Sequence, residues 1–307
     1  MSRARAACAA AAASLVLAAL TACDHSAKGE CKVSVNGAFG SAVTVDVDCP
    51  SAPRNVVKDV VVKGKGNAID KGQTALLRAT SFDSRSGKIV SAYNSGNLRL
   101  AEVSEKGLGD IADDLVGVKE GSRLVFKRPG LVDGNRQSAE IIVVDVFSTI
   151  AQGKKAPAPN PAPSGMPSLS VADGGGPAIK ASGQPIPELA VVPFVEGSGD
   201  QVSKGDTLAV QYAIYDTKGQ IVDTTWNGGK PVKLKLDKAM RGLAEGLVDQ
   251  KAGSRVVVLI PASFAQGEGD RIVVVDILGI LSSSPGSDKT AASRTRLAFV
   301  SPFDASR

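Results

Sequence analysis

Residues 204–223, KGDTLAVQYAIYDTKGQIVD, answer residues 71–90, KGQTALLRATSFDSRSGKIV, and the correspondence runs on beyond both stretches. Residues 243–261 (LAEGLVDQKAGSRVVVLIP) answer 111–129 (IADDLVGVKEGSRLVFKRP), and 270–281 (DRIVVVDILGIL) answer 139–150 (AEIIVVDVFSTI). Gly72 pairs with Gly205, Gly121 with Gly253 and Asp145 with Asp276, so the offset drifts only from 133 to 131. A spacing that long marks a duplicated domain rather than a solenoid repeat. For 307 residues, a prior of about 150 residues per domain also gives two.

Within copy two, Thr207 to Tyr215 is rich in β-branched and aromatic residues, and Asp216-Thr217-Lys218-Gly219 supplies turn chemistry before Gln220 to Asp223. Val232, Leu234 and Leu236 alternate with lysines, as in a half-buried strand. Lys238 to Gln250 is the one helical stretch, with Met240, Leu243, Leu247 and Val248 recurring at spacings of three and four; Gly253 follows it as a cap region. Ser254–Ile260 and Arg271–Leu278 are further apolar strands. The predicted class is α+β: a twisted antiparallel sheet packed on one short helix in each copy.

Aromatic residues are 4% of the chain, so the cores must be built of Val, Leu and Ile. The formal charge is +5, two of the positive charges being Arg3 and Arg5, and no dense basic tract or aromatic platform suggests nucleic acid as a partner. Those arginines precede an apolar run, Ala6 to Leu20, too short for a comfortable membrane span. The run ends in Leu20-Thr21-Ala22-Cys23, which resembles the lipobox of bacterial lipoproteins. That resemblance implies a signal peptide over 1–22, a lipidated Cys23 and a tether over 23–30 that hangs the protein from the extracytoplasmic face of the cell membrane. Ordinary secretion with cleavage at an A-x-A-like site is the alternative.

Export would leave Cys31 and Cys49 as an even pair in an oxidising compartment. Between them Lys32–Val35 and Val43–Val47 alternate apolar and polar about Asn36-Gly37, so two strands stapled near their outer ends are expected. Such a bond contributes roughly 3 kcal/mol in the chain-entropy model. With one histidine (His25) and no other thiol nearby, no metal site is expected. Residues 31–150 thus carry the stapled strands and copy one. Residues 151–183 include APAPNPAPSGMPSLSVADGGGPAIKASG and read as a linker whose composition leaves too little apolar surface to fold. Copy two occupies 184–282, and 283–307 read as a disordered tail.

The order of motifs resembles the FK506-binding (FKBP-type) peptidyl-prolyl cis-trans isomerases. Copy two carries it through Gly205-Asp206-Thr207, Gly219 to Asp223, Pro231-Val232-Lys233-Leu234, Arg241-Gly242-Leu243-Ala244-Glu245-Gly246-Leu247, Gly253-Ser254-Arg255, Ile260-Pro261 and Val275-Asp276. The lipid-anchored tandem build is similar to that of actinobacterial members. The resemblance implies catalysis of X–Pro bond rotation in proline-containing polypeptides, with no cofactor. It makes Tyr212 and Asp223 the polar pocket residues. Val222, Val232, Ala239, Met240, Leu243, Phe264 and Val275 become its apolar walls and floor, with Trp226 as either a further aromatic face or a loop anchor.

Several positions depart from the family pattern. Leu243 stands for the floor tryptophan, Val222 for the aromatic before the aspartate, and Gln266 for the aromatic after Phe264-Ala265. Copy one departs further, with Ala79 at the tyrosine position, Ser91 at the aspartate and Gly109-Asp110 for Arg-Gly. It is therefore expected to be a non-catalytic scaffold or binding module. For copy two, a chaperone or interaction module that has lost catalysis is the alternative to an enzyme.

Overall fold

A computed structural model of the chain describes residues 31–90, 96–131, 137–266 and 269–282. The expected leader, Cys23, tether and C-terminal tail lie outside these residues, as does Ser91.

Strands β1 (Lys32–Asn36) and β2 (Thr44–Asp48) form an antiparallel hairpin closed by a Cys31–Cys49 disulfide with Cα atoms 4.0 Å apart. Then come β3 (Val57–Val62), β4 (Thr74–Asp83), β5 (Leu98–Glu102), the single-turn helices α1 (Glu105–Leu108) and α2 (Ala112–Leu115), β6 (Arg123–Pro129) and β7 (Ala139–Phe147). The sheet order is β3-β6-β7-β4-β5, antiparallel throughout. Its helix face buries Leu77, Leu115, Leu124, Phe126, Val144 and Val146. On its other face Phe82, Val125, Ile141 and Val143 pack under the disulfide hairpin.

The second half continues with β8 (Gly153–Lys155), β9 (Ser168–Val171), β10 (Pro177–Lys180), β11 (Ala190–Gly197), β12 (Thr207–Tyr215), β13 (Ile221–Thr224), β14 (Val232–Lys235), α3 (Arg241–Leu247), β15 (Arg255–Ile260) and β16 (Arg271–Ser282). Its seven-stranded sheet runs β13-β12-β16-β15-β11-β8, with β14 also paired to β12. α3 is shorter than the apolar spacing suggests because Ala239 and Met240 are extended and Asp249 takes a left-handed φ of 67°. The spacing itself holds: Leu243 and Leu247 are buried beneath the helix, with Met240 and Val248 packed at its two ends.

Composition misleads over 152–183. β8 joins the second sheet through β11, and β9–β10 is a hairpin packed on that sheet's back face. Met166, Leu169 and Ile179 contribute little apolar area, but the surface they cover is already built: Tyr215, Val257, Leu259, Ile272 and Val274. A poor segment folds when a rich face awaits it. Each copy is therefore a sheet between short helical turns, two in copy one where one helix is expected and a single helix in copy two, and a hairpin, and the duplicated unit includes the hairpin.

One ion pair repeats with the architecture. In copy one Arg123 Nε lies 2.6 Å from Asp145 Oδ1, and its other nitrogens donate to the Gly37 and Ala38 carbonyls at 2.6 and 2.8 Å; the Gly40 N–H donates to Asp145. In copy two Arg255 pairs with Asp276 and donates to the Gly175 carbonyl at 2.6 Å, while the Ala151 N–H donates to Asp276 at 2.8 Å. Both pairs are almost fully buried and hold the hairpin turn to the sheet.

Burial raises the Asp276 pKa although Arg255 opposes the shift, so its contribution to stability fades as pH rises through the folded pKa. Arg255→Met would leave that carboxylate unpaired at a cost of about 3–5 kcal/mol. We expect urea denaturation to show a larger deficit at neutral than at mildly acidic pH, with trypsin cutting faster after Lys180.

Candidate active site

The site lies on the helix face of the second sheet. Tyr212, on β12, is directly opposite Val275 on β16. Its backbone is held on the other side by Thr225, whose hydroxyl accepts from the Tyr212 N–H at 2.9 Å and whose N–H donates to the Tyr212 carbonyl at 3.0 Å. This clamp holds the chain where β13 ends, and pairing of β13 with β12, Asp223 opposite Ile214, sets Asp223 beside the tyrosine hydroxyl. The Tyr212 hydroxyl donates to Asp223 Oδ2 at 2.7 Å.

Below this pair lies an apolar cluster. Val232, Met240 and Phe264 are half-buried in it, whereas Leu243 and Val275 are buried beneath. Helix α3 can approach closely because it presents glycine to the sheet. A Cβ on Gly242 would fall 2.5 Å from Ile260 Cγ2, and one on Gly246 2.8 Å from Val258 Cγ1. Arg241 then lies over the Phe264 ring, 4.4 Å from its centre, at one rim. The floor position is thus occupied by an aliphatic side chain, and the aromatic surface is confined to Tyr212 and Phe264.

Other named residues fall elsewhere. Val222 is 51% exposed and outside the cluster, and Ala239 is half-buried at the step into α3. Trp226 packs against the opposite face of the sheet, beside the Gly176 backbone and with the Arg255 guanidinium 5.6 Å from its ring centre. It anchors a loop to the β9–β10 hairpin and adds no face to the pocket. In the sequence Arg255 and Asp276 stand out only as motif positions. Their signal was the opposite charge on facing strands within otherwise unbroken apolar runs.

The site offers a hydrogen-bond donor and acceptor over an apolar floor. Burial, then the bond to Asp223 and its charge, push the Tyr212 pKa up to about 12, so the phenol remains a donor at physiological pH. Among the described residues no group of three or more His, Cys, Asp or Glu could hold a metal.

The profile of the FKBP-type peptidyl-prolyl cis-trans isomerases matches residues 199–276. An FK506-binding protein of Streptomyces anulatus is 32% identical over 89 residues, which is 28% of this chain and 72% of that protein. A probable FKBP-type peptidyl-prolyl cis-trans isomerase of Haemophilus influenzae is 32% identical over 72 residues, 24% of this chain and 30% of that one. The outer membrane protein MIP of Legionella longbeachae is 34% identical over 71 residues, 23% of this chain and 30% of that one. The chain belongs to the FKBP family. It spans most of the Streptomyces relative and less than a third of the other two.

An ultraviolet titration checks the electrostatics. With the folded pKa at about 12, Tyr212 stabilises the fold below its unfolded value near 10, and this is lost as pH rises through the folded value. Asp223→Asn removes the neighbouring charge and should bring the ionisation of Tyr212 to lower pH.

Proposed function

We propose that copy two is a peptidyl-prolyl cis-trans isomerase acting on exported polypeptides. Rotation about an X–Pro bond sacrifices amide resonance, a barrier of about 18–20 kcal/mol, and proceeds over tens of seconds or more unaided. The reaction breaks no covalent bond, so it calls for neither nucleophile nor cofactor. What it needs is a surface that binds the twisted amide better than the planar one. Here the proline ring would rest on Val232, Met240 and Phe264, while the Tyr212–Asp223 pair addresses the amide. The observation that carries this reading is the 2.7 Å bond between Tyr212 and Asp223 at the edge of a half-buried apolar floor.

A non-catalytic binding or chaperone module is favoured by different features: Leu243 sits where the family pattern has tryptophan, and Val222 faces solvent. Exchange of a proline peptide, followed with the leader-free chain, decides between them. Both repeats and the β9–β10 hairpin must be retained, because a fragment beginning at residue 184 would uncover the back face of its sheet. Tyr212→Phe and Asp223→Ala are each expected to lower kcat/KM at least about tenfold, or about 1.4 kcal/mol of transition-state binding. Exchange at the uncatalysed rate in the parent leaves the binding module.

The same proposal places the protein on the extracytoplasmic face of a membrane, anchored through Cys23. Residues 1–23, the oxidised Cys31–Cys49 pair and the printed name of the Legionella relative support it. No helix among the described residues is long and apolar enough to cross a membrane. Cys23→Ser should abolish incorporation of labelled palmitate and release the protein from the membrane fraction.

A further inference from the structure

Copy one has its own cavity, about 290 Å³, on the surface that forms the candidate site in copy two. Strand register makes the comparison residue by residue. Ala79 occupies the place of Tyr212, Ser81 that of Ile214, Arg99 that of Val232, Arg128 that of Ile260 and Glu140 that of Arg271. Four adjacent strands supply this wall, and the Leu108–Ile111 turn closes it from above. A largely apolar surface has become a charged one.

The charges are unevenly matched. Glu140, with no exposed surface, accepts from Ser81 and from Arg128, and Arg128 also reaches Asp110 at 3.3 Å. Arg128 thus bridges two carboxylates, the buried Glu140 and the exposed Asp110. Arg99 lines the same cavity, and its buried Nε has no hydrogen-bond partner among the described residues. A buried donor left unpaired is destabilising, the more so on a charged group. The fold does not require it, since copy two places Val232 at this position. A bound anion would complete Arg99, and a guanidinium fork matches a carboxylate in particular. Asp110, exposed at the rim, is placed to accept an amide N–H from the same ligand.

We propose that the copy-one cavity binds a peptide carboxylate, with Arg99 as its counter-charge and Asp110 receiving a neighbouring backbone N–H. Only the choice of a peptide rests on the reading of copy two; the choice of a carboxylate rests on Arg99. The cavity is at the lower end of the size range for ligand pockets, suiting a chain end or one acidic side chain.

Fluorescence polarisation with the full chain tests this using labelled Gly-Ala-Val-Ala-Ala as free acid and as C-terminal amide, and amidated Gly-Ala-Glu-Ala-Ala against its Gln counterpart. The expected result is at least about tenfold tighter binding of the acid member of one pair, weakened by salt. A difference in the first pair assigns the chain terminus, and one in the second an acidic side chain. Arg99→Leu should erase the difference and Arg99→Lys retain part of it. Equal binding within both pairs by the unmodified protein overturns the proposal, whatever the variants do. Proline-peptide exchange reads copy two independently, so failure of either proposal leaves the other standing.

Discussion

The buried arginine–aspartate pair on facing strands is the constraint on which each half of the molecule depends. Arg123–Asp145 and Arg255–Asp276 cross between neighbouring strands at the same register, one pair in each sheet. Two charges withdrawn from water are tolerable only when their remaining donors and acceptors are also met. In each copy a hairpin turn meets them, through the Gly37 and Ala38 carbonyls in one and the Gly175 carbonyl in the other. The pair therefore demands a cover on the back of the sheet, and the cover in turn buries strand residues that would otherwise face solvent. The two covers reach this point by different means: a disulfide closes the first, while the second relies on Tyr215 donating to the Pro177 carbonyl at 2.9 Å and on apolar contact.

Covering one face leaves the other free to hold a site. With β12, β15 and β16 sandwiched, the tyrosine on β12 is fixed by its neighbours rather than by a loop, and the Thr225 clamp carries that rigidity to Asp223. The sheet and α3 provide the floor, and Tyr212 on β12 with Asp223 on β13 the polar rim. The same scaffold in copy one supports a different lining, because side chains facing the cavity can change without touching the ion pair or the back-face cover. Duplication gave two equivalent walls, and substitution at Arg99, Arg128 and Glu140 made one of them polar.

Not all of this was readable from residue order. The Asp216–Gly219 turn, the apolar alternation in β14 and the spacing within α3 marked their elements, and motif position singled out Tyr212 and Asp223, but the hydrogen bond between them belongs to the folded structure. The second hairpin was missed because its own composition is poor in apolar residues. The clue lay in its partner: Val256 to Ile260 and Ile272 to Val275 are apolar at every position, which requires cover on both faces. Trp226 was ambiguous for a related reason. Three residues beyond Asp223, it could turn to either side of the sheet, and packing against Gly176 and Arg255 chose the back.

The sequence by itself determined the duplication, the strand-rich α+β architecture and family membership. These are encoded in local periodicity and in motifs whose members lie close in the chain, so residue order reports them directly. Only the tertiary structure decided that residues 168–180 cover a sheet, that Trp226 stays out of the pocket, and that Arg99 shares a cavity with Asp110, Arg128 and Glu140. Each depends on which distant segment shields a given face and leaves a buried polar group satisfied or unmet. That is a matter of complementarity between surfaces, which no single stretch of the chain contains.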